Sequence, residues 1–129
     1  MEPEGTVFIV DDDAEVRRAL TRLLASVDLS CRTFSSAEEF LKAYGPNGPA
    51  CLVLDVRMPG ISGIELHRQL AAKGMTIPVI IVTGHGDTPM AVEAIQRGAV
   101  GFLEKPVKPQ QFLDCVRRAL IQDAQRRRT

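Results

Sequence analysis

The sequence predicts an α/β protein in which a central parallel sheet of five strands is covered by helices on both faces. Two observations support this prediction. Short segments made almost wholly of apolar, β-branched residues alternate with longer segments whose apolar residues recur every three or four positions. Continuous apolar runs are typical of parallel strands buried on both faces, and regular alternation of strand and helix gives right-handed βαβ units in a three-layer sandwich. Five strands in one domain suggest the flavodoxin-like (βα)5 order 2-1-3-4-5.

Five segments are predicted to be strands. Three are strongly apolar runs, at residues 7–10, 51–54 and 79–82, and a weaker run lies at 99–103. Residues 31–34 alternate in polarity, which indicates an edge strand.

The segments between these strands are predicted to be amphipathic helices. Residues 16–27 carry apolar side chains at helical spacing. The second and third helices each begin with a capping box, in which a serine is followed three residues later by a glutamate. These pairs are Ser36 with Glu39 and Ser62 with Glu65.

The last two helices complete the alternation. Asp87 or Thr88 can cap the fourth helix, and Pro89 then lies in its first turn. The fifth helix has its apolar positions within residues 112–120, and residues 125–129 are expected to form a frayed tail.

Composition excludes several classes of protein. Sixteen basic and 16 acidic residues give a formal net charge of zero, which argues against a wholly basic nucleic-acid binder. The apolar runs fall short of the ~18 residues of a membrane-spanning helix, and the N-terminus does not resemble a signal peptide. Three cysteines, Cys31, Cys51 and Cys115, form an odd set without a CxxC motif, which favours a reduced cytoplasmic compartment over a disulfide or zinc framework.

Polar residues follow the predicted strands at the edge where open α/β sheets bind ligands. Asp11 and Asp12 follow the first strand, and Asp55 follows the third. Thr83 ends the fourth strand, and Lys105 follows the fifth. Carboxylates, a hydroxyl and an ammonium group should therefore meet at one rim of the sheet.

These residue types suit phosphoryl transfer to a carboxylate. Clustered carboxylates repel one another, and a divalent cation relieves that repulsion. A site of oxygen ligands with few carboxylates suits Mg²⁺. Lys105 supplies a positive charge for a phosphoryl oxygen, and Thr83 supplies a neutral hydroxyl.

Each residue also has a simpler interpretation. Asp11, Asp12 or Asp13 can cap the first helix, and Asp55 can be a turn residue. Lys105 alone is an ordinary solvated lysine. Their joint placement at successive strand ends favours the site.

The residues at the strand ends also carry a family resemblance. Asp11-Asp12, the segments at 54–60 and 83–87, and Phe-Leu-Glu-Lys-Pro at 102–106 occur in the order found in the receiver domains of two-component response regulators. The resemblance covers nearly the whole chain and is greatest to the FixJ-like branch, whose receivers usually precede a LuxR-type helix-turn-helix output domain. It implies a receiver domain at 1–124, followed by the start of a linker or tail to an output domain that this chain lacks.

The resemblance implies a role for each carboxylate. Asp55 would be the phosphoacceptor, taking a phosphoryl group from the phosphohistidine of a sensor histidine kinase. Asp12 and Asp55, with the backbone carbonyl of Arg57, would coordinate Mg²⁺. Asp11 would bind the ion directly or through water.

The resemblance also implies a conformational switch. Thr83 and Lys105 would bind phosphoryl oxygens, and Phe102 would turn inward when Thr83 moves. Phe102 has a simpler interpretation as a core aromatic residue. His85 would modulate the lifetime of the phosphoryl group or solvent access to it.

The resemblance implies a sensor histidine kinase as a partner, and the placement of Thr83 and Phe102 at the inner edge of one face predicts a second copy of the chain as another. Phosphorylation would drive homodimerisation through the face formed by the fourth helix, fifth strand and fifth helix, about residues 87–120. The chain would contact DNA only through the absent output domain, would not contact a membrane, and would be no enzyme beyond its own phosphorylation and dephosphorylation. The Lys105–Pro106 bond is predicted to be cis.

Three other functions remain as alternatives. A nucleotide-binding module is disfavoured because Gly84-His85-Gly86 follows the fourth strand and position 89 is proline. A Mg²⁺-dependent aspartyl phosphohydrolase would need longer loops than this chain has. A phosphate-independent pseudo-receiver would not need the complete set of site residues.

Overall fold

A computed structural model describes residues 4–45, 48–58, 60–84 and 88–127. Strands and helices alternate along the chain as predicted. The strands are β1 (Thr6–Val10), β2 (Ser30–Phe34), β3 (Ala50–Asp55), β4 (Val79–Thr83) and β5 (Gly101–Glu104). The helices are α1 (Ala14–Ala25), α2 (Ala37–Ala43), α3 (Gly63–Ala72), α4 (Thr88–Gln96) and α5 (Pro109–Arg127). All strand pairs are parallel, in the order β2-β1-β3-β4-β5, which confirms the predicted topology.

Two hydrophobic clusters lie on opposite faces of the sheet. Successive β1 side chains alternate between them, so Phe8 belongs to one cluster and Ile9 to the other. The first cluster also contains Phe40 of α2, and the second contains Leu24 of α1 and Phe112 of α5. This division confirms the three layers and fixes the central strands from both sides.

In the described part of the chain, side-chain oxygens cap the N-termini of α1, α2 and α3. Ser36 and Ser62 each accept a hydrogen bond from the backbone N–H three residues later, as predicted. Asp13 caps α1 by accepting from the N–H two residues later. Asp87, the predicted alternative cap of α4, lies outside the described residues, and α4 begins at Thr88.

The last strand begins two residues later than predicted, at Gly101. The end of α4 takes up Ala99, whereas the N–H of Val100 already donates to the carbonyl of Val79 over 2.9 Å. Gly98 has φ +108°, and the N–H of Ala99 donates to the carbonyl of Ala94 over 3.0 Å. A hydrogen bond of this kind, made just after a glycine with positive φ, is a common way to end a helix, so Ala99 belongs to the end of α4.

The last helix extends beyond the predicted one and reaches Arg127, so the expected tail at 125–129 is wrong for residues 125–127. The fully buried carboxylate of Asp123 explains the extension. It accepts a hydrogen bond from the backbone N–H of Ala50 over 2.9 Å. It also pairs with Arg126 at 2.6 Å and Arg127 at 2.9 Å, which holds the last helical turn against β3.

The cysteines are free thiols, in agreement with their odd number. Cys51 is buried in β3, and burial raises the pKa of its thiol well above the ordinary value. Within the described part of the chain, no helix combines the length and apolar character that crossing a membrane requires.

Candidate functional site

The carboxyl edge of the sheet brings the predicted site residues together. Asp11 follows β1 and Asp55 ends β3, and these strands are neighbours. Thr83 ends β4, and Lys105 follows β5 at the edge of the sheet. The parallel register places all four residues at the same rim.

Three carboxylates cluster at this rim. Among the described residues, carboxylate oxygens of Asp11, Asp12 and Asp55 lie within 4.8 Å of one another. Asp11 and Asp55 are buried, whereas Asp12 is exposed and lies on the solvent side of the cluster. Backbone N–H groups help to orient the buried pair, because that of Asp13 donates to Asp11 Oδ1 over 2.9 Å and that of Arg57 to Asp55 Oδ1 over 3.3 Å.

A positive charge lies between the two buried carboxylates. Lys105 Nζ is 3.3 Å from Asp11 Oδ2 and 3.5 Å from Asp55 Oδ2. Because of these two short distances, Lys105 compensates part of the negative charge that folding concentrates at this edge.

The Lys105–Pro106 peptide bond is cis, which confirms the prediction.

Burial and the neighbouring charges shift both titrating groups. Burial and the nearby charge of Asp11 raise the pKa of Asp55 to about 6, although Lys105 and the Arg57 N–H act in the opposite direction. Burial lowers the pKa of Lys105, but Asp11 and Asp55 outweigh it, and the net pKa lies above the ordinary value. Lys105 is thus a cation at neutral pH, while Asp55 is mostly ionised.

The donor set fits a hard divalent cation. It offers carboxylate oxygens from three residues, two buried and one facing solvent, and no sulfur or imidazole ligand among them. Mg²⁺ prefers such oxygen ligands and retains water in the remaining positions. The carboxylates present at this edge therefore fit the Mg²⁺ ion that the sequence predicts.

The two predicted switch residues occupy different environments. Thr83 is buried, and its hydroxyl donates to the carbonyl of Leu103 over 3.4 Å. Phe102 is 47% exposed, so the interpretation of Phe102 as a core residue is wrong. His85, the predicted modulating residue, lies outside the described residues.

Sequence reasoning missed two residues that support the site. Gly63 begins α3, and a Cβ there would overlap the backbone carbonyl of Asp55, so only glycine fits without a shift. Arg17 donates from Nη1 to the backbone carbonyl of Asp11 over 2.6 Å. The position of Gly63 directly after the Ser62 cap was a weak indication in the sequence that a close backbone contact occurs there. Nothing in the sequence indicated the contact of Arg17 with Asp11.

Comparison with known proteins identifies the family. The response regulator receiver domain matches residues 7–117. Nodulation protein W of Bradyrhizobium diazoefficiens is 49% identical over 124 residues, which cover 96% of this chain and 55% of that protein. The transcriptional regulatory protein FixJ of Azorhizobium caulinodans is 47% identical over 122 residues, covering 95% of this chain and 58% of that protein. The chain therefore belongs to the response regulator receiver family.

Solved structures agree with this assignment. The response regulator StyR has a TM-score of 0.90 at 47% identity, covering 99% of this chain and 64% of that chain. FixJ-N has a TM-score of 0.82 at 41% identity, covering 96% of this chain and 94% of that chain. The predicted FixJ-like branch is confirmed, and the chain spans a little over half the length of the curated relatives it matches.

Proposed function

We propose that Asp55 accepts a phosphoryl group from the phosphohistidine of a sensor histidine kinase, and that the resulting change of surface controls transcription through an output domain outside this chain. The observation that carries the proposal is a buried carboxylate with an ammonium group 3.5 Å away and two further carboxylates beside it. Such a site combines a nucleophile with the charges that phosphoryl transfer requires.

The transfer step follows from the positions of these groups. An oxygen of Asp55 attacks phosphorus and forms a P–O bond, while the P–N bond of the phosphohistidine breaks and its electron pair returns to the imidazole. In its ionised form the Asp55 carboxylate supplies the negatively charged oxygen that attacks, and the neighbouring Lys105 favours that form. Lys105 then stabilises negative charge on the phosphoryl oxygens.

Asp11, Asp12 and Asp55, with the backbone carbonyl of Arg57, would hold Mg²⁺. When bound, the cation neutralises charge on the carboxylates and on the phosphoryl oxygens. The support for this assignment is the all-oxygen cluster at the carboxyl edge and the family to which the chain belongs.

A surface at the other side of β5 supports a role in dimerisation. A groove of about 560 Å³ runs between α4, β5 and α5, and Ile95, Val100 and Phe102 line it. All three of these apolar side chains are exposed. In the proposed switch, a phosphoryl group on Asp55 draws the Thr83 hydroxyl away from the Leu103 carbonyl. Phe102 then turns inward, and α4 moves so that the surface becomes self-complementary and can form a homodimer.

In the proposed function, the protein does not act as an enzyme on another molecule. It catalyses only its own phosphorylation and dephosphorylation, works in the cytoplasm, and reaches DNA only through the output domain. Its relatives support this proposal, because they are about twice as long as the matched segment and include proteins named as transcriptional regulators.

Intact mass spectrometry after incubation with acetyl phosphate tests the proposal. The expected result is the gain of one phosphoryl group that requires Mg²⁺ and is abolished by a chelator. A protein that gains no phosphoryl group with Mg²⁺ would instead be a pseudo-receiver. Multiple turnover of an unrelated phosphoester would instead indicate an aspartyl phosphohydrolase.

A further inference from the structure

The carboxylate of Glu38 connects α2 to the loop between β3 and α3. Glu38 Oε1 accepts a hydrogen bond from the backbone N–H of Ile61 over 3.2 Å, across 23 residues of sequence. The same oxygen lies beside Gly60, where a Cβ would come within 3.1 Å of it. Gly60 has φ +76°, a conformation that favours glycine and allows this close approach.

Glu38 lies in the first turn of α2, which Ser36 caps by accepting from the backbone N–H of Glu39, and its side chain is exposed to solvent. The backbone N–H of Glu38 and that of Ile61 lower the pKa of Glu38 below the ordinary value. The lowered pKa favours the ionised carboxylate, which is a strong acceptor for the Ile61 N–H.

The loop that Glu38 contacts carries part of the phosphoacceptor site. At its start, the Arg57 N–H donates to Asp55 Oδ1. At its far end, the Gly63 N–H donates to the carbonyl of Val56 over 3.1 Å, which closes the loop against β3. Between these ends, the Glu38–Ile61 bond joins the loop to a neighbouring helix.

We propose that Glu38 is a positioning residue: by holding the loop at Ile61, it keeps the backbone of Arg57 beside Asp55 in the geometry that cation binding needs. This inference rests on the proposed function of Asp55. Loss of the acceptor leaves the Ile61 N–H without its carboxylate partner and lets the loop sample other positions. Cation affinity then falls, because part of the binding free energy is spent on ordering the loop.

A pair of substitutions of equal length isolates the hydrogen bond. Glu38→Gln removes the charge but keeps a carbonyl acceptor, whereas Glu38→Met removes both. Any effect of lost charge at the helix N-terminus is common to the two variants. Their difference reports the acceptor alone.

The experiment combines two NMR measurements with a rate. In metal-free protein, we expect the Ile61 amide to exchange faster with solvent in Glu38→Met than in wild type or Glu38→Gln. A Mg²⁺ titration should give a Kd raised about threefold to tenfold in Glu38→Met, at or below the roughly tenfold minimum that is typical when a direct supporting partner of a metal ligand is lost. The Kd of Glu38→Gln should stay near that of wild type. At saturating Mg²⁺, the rate of phosphorylation by acetyl phosphate should recover toward that of wild type.

Two failures are distinguishable. Wild-type protein that takes up a phosphoryl group, together with equal Mg²⁺ affinity in Glu38→Met and Glu38→Gln, would overturn the role of Glu38 alone. Wild-type protein that neither binds Mg²⁺ nor takes up a phosphoryl group would overturn the proposed function itself.

Discussion

Lys105 Nζ lies 3.5 Å from Asp55 Oδ2, so the proposed nucleophile and the cation that would stabilise its product are already in contact. Lys105→Met should keep much of the side-chain volume and remove the charge. We expect phosphorylation by acetyl phosphate to slow by about a hundredfold or more, because one electrostatic contact to the transferred group is lost. Stopped reactions analysed by intact mass would measure the rate.

The same substitution should affect Mg²⁺ binding in the opposite direction. Removal of a neighbouring positive charge makes the carboxylate cluster more negative, so the Mg²⁺ affinity of Lys105→Met should equal or exceed that of wild type. Weaker Mg²⁺ binding with an unchanged rate of phosphorylation would contradict the proposed role of Lys105 in the transfer step.

Mg²⁺ should stabilise the folded protein through the carboxylate cluster. A ligand of the native state raises the free energy of unfolding by RT ln(1 + [Mg²⁺]/Kd), which is about 2.7 kcal/mol at a hundredfold excess over Kd. Asp12→Ala should abolish this response and raise the stability of the metal-free protein, because one like charge is removed from beside two buried ones. Thermal unfolding with and without Mg²⁺ would measure both effects.

Asp114→Ala is a suitable control for the ion response. Asp114 is an exposed acidic residue of α5 that contacts Gln110, away from the carboxylate cluster. Its Mg²⁺ response should match that of wild type. A melting temperature of the wild type that ignores millimolar Mg²⁺ would contradict the assignment of the site.

The buried carboxylate of Asp123 should contribute strongly to stability. Asp123→Ala leaves the Ala50 N–H buried without its acceptor and removes the carboxylate that pairs with both Arg126 and Arg127, at an expected cost of roughly 1.5–3 kcal/mol. Urea unfolding at neutral pH would measure this loss. Asp114→Ala, in the same helix, should cost much less.

The contribution of Asp123 should also depend on pH. Burial raises the pKa of Asp123, but hydrogen bonds from Arg127, Arg126 and the Ala50 N–H outweigh it and lower the pKa below the ordinary value of 3.8. Because the folded pKa is depressed, the stabilisation is complete above the unfolded pKa and is lost as pH falls from near 4 through the folded pKa. The difference between wild type and Asp123→Ala should therefore shrink below pH ~4, and a constant difference down to pH ~2 would contradict this account.

Activation should convert a monomer into a dimer through the face formed by α4, β5 and α5. Sedimentation with and without beryllofluoride, a mimic of the phosphoryl group, would measure this change. Thr83→Ala should weaken the response, because the hydroxyl that now contacts Leu103 would be absent. A protein that stays monomeric at ~100 µM, where weak specific contacts are detectable, would overturn the dimer model. Equal dimerisation of Thr83→Ala would overturn only its coupling to Phe102.

Much of the fold was predictable because its signals are local. Apolar runs, helical periodicity and serine caps each lie within a few residues, and the parallel topology then carries Asp11, Asp55 and Lys105 to one edge. The contacts that were missed are tertiary. Asp123 meets Ala50 across 73 residues and Glu38 meets Ile61 across 23, and neither pair leaves a periodic pattern in the sequence.

The boundaries of the elements were less predictable for a related reason. The start of β5 depends on how α4 ends at Gly98, and the length of α5 depends on the buried pairing of Asp123. Both are set by hydrogen bonds between backbone or side-chain groups that apolar patterning does not describe. The exposure of Phe102 likewise follows from its place on the edge strand β5.

The central claim is that Asp55 is the phosphoryl acceptor. Wild type and Asp55→Asn would be incubated with acetyl phosphate and Mg²⁺, and the phosphoryl group counted by intact mass. Asparagine keeps the size of the side chain but lacks the ionised oxygen that attacks phosphorus. The account predicts one phosphoryl group on wild type and none on Asp55→Asn, whereas unchanged incorporation by Asp55→Asn would contradict it.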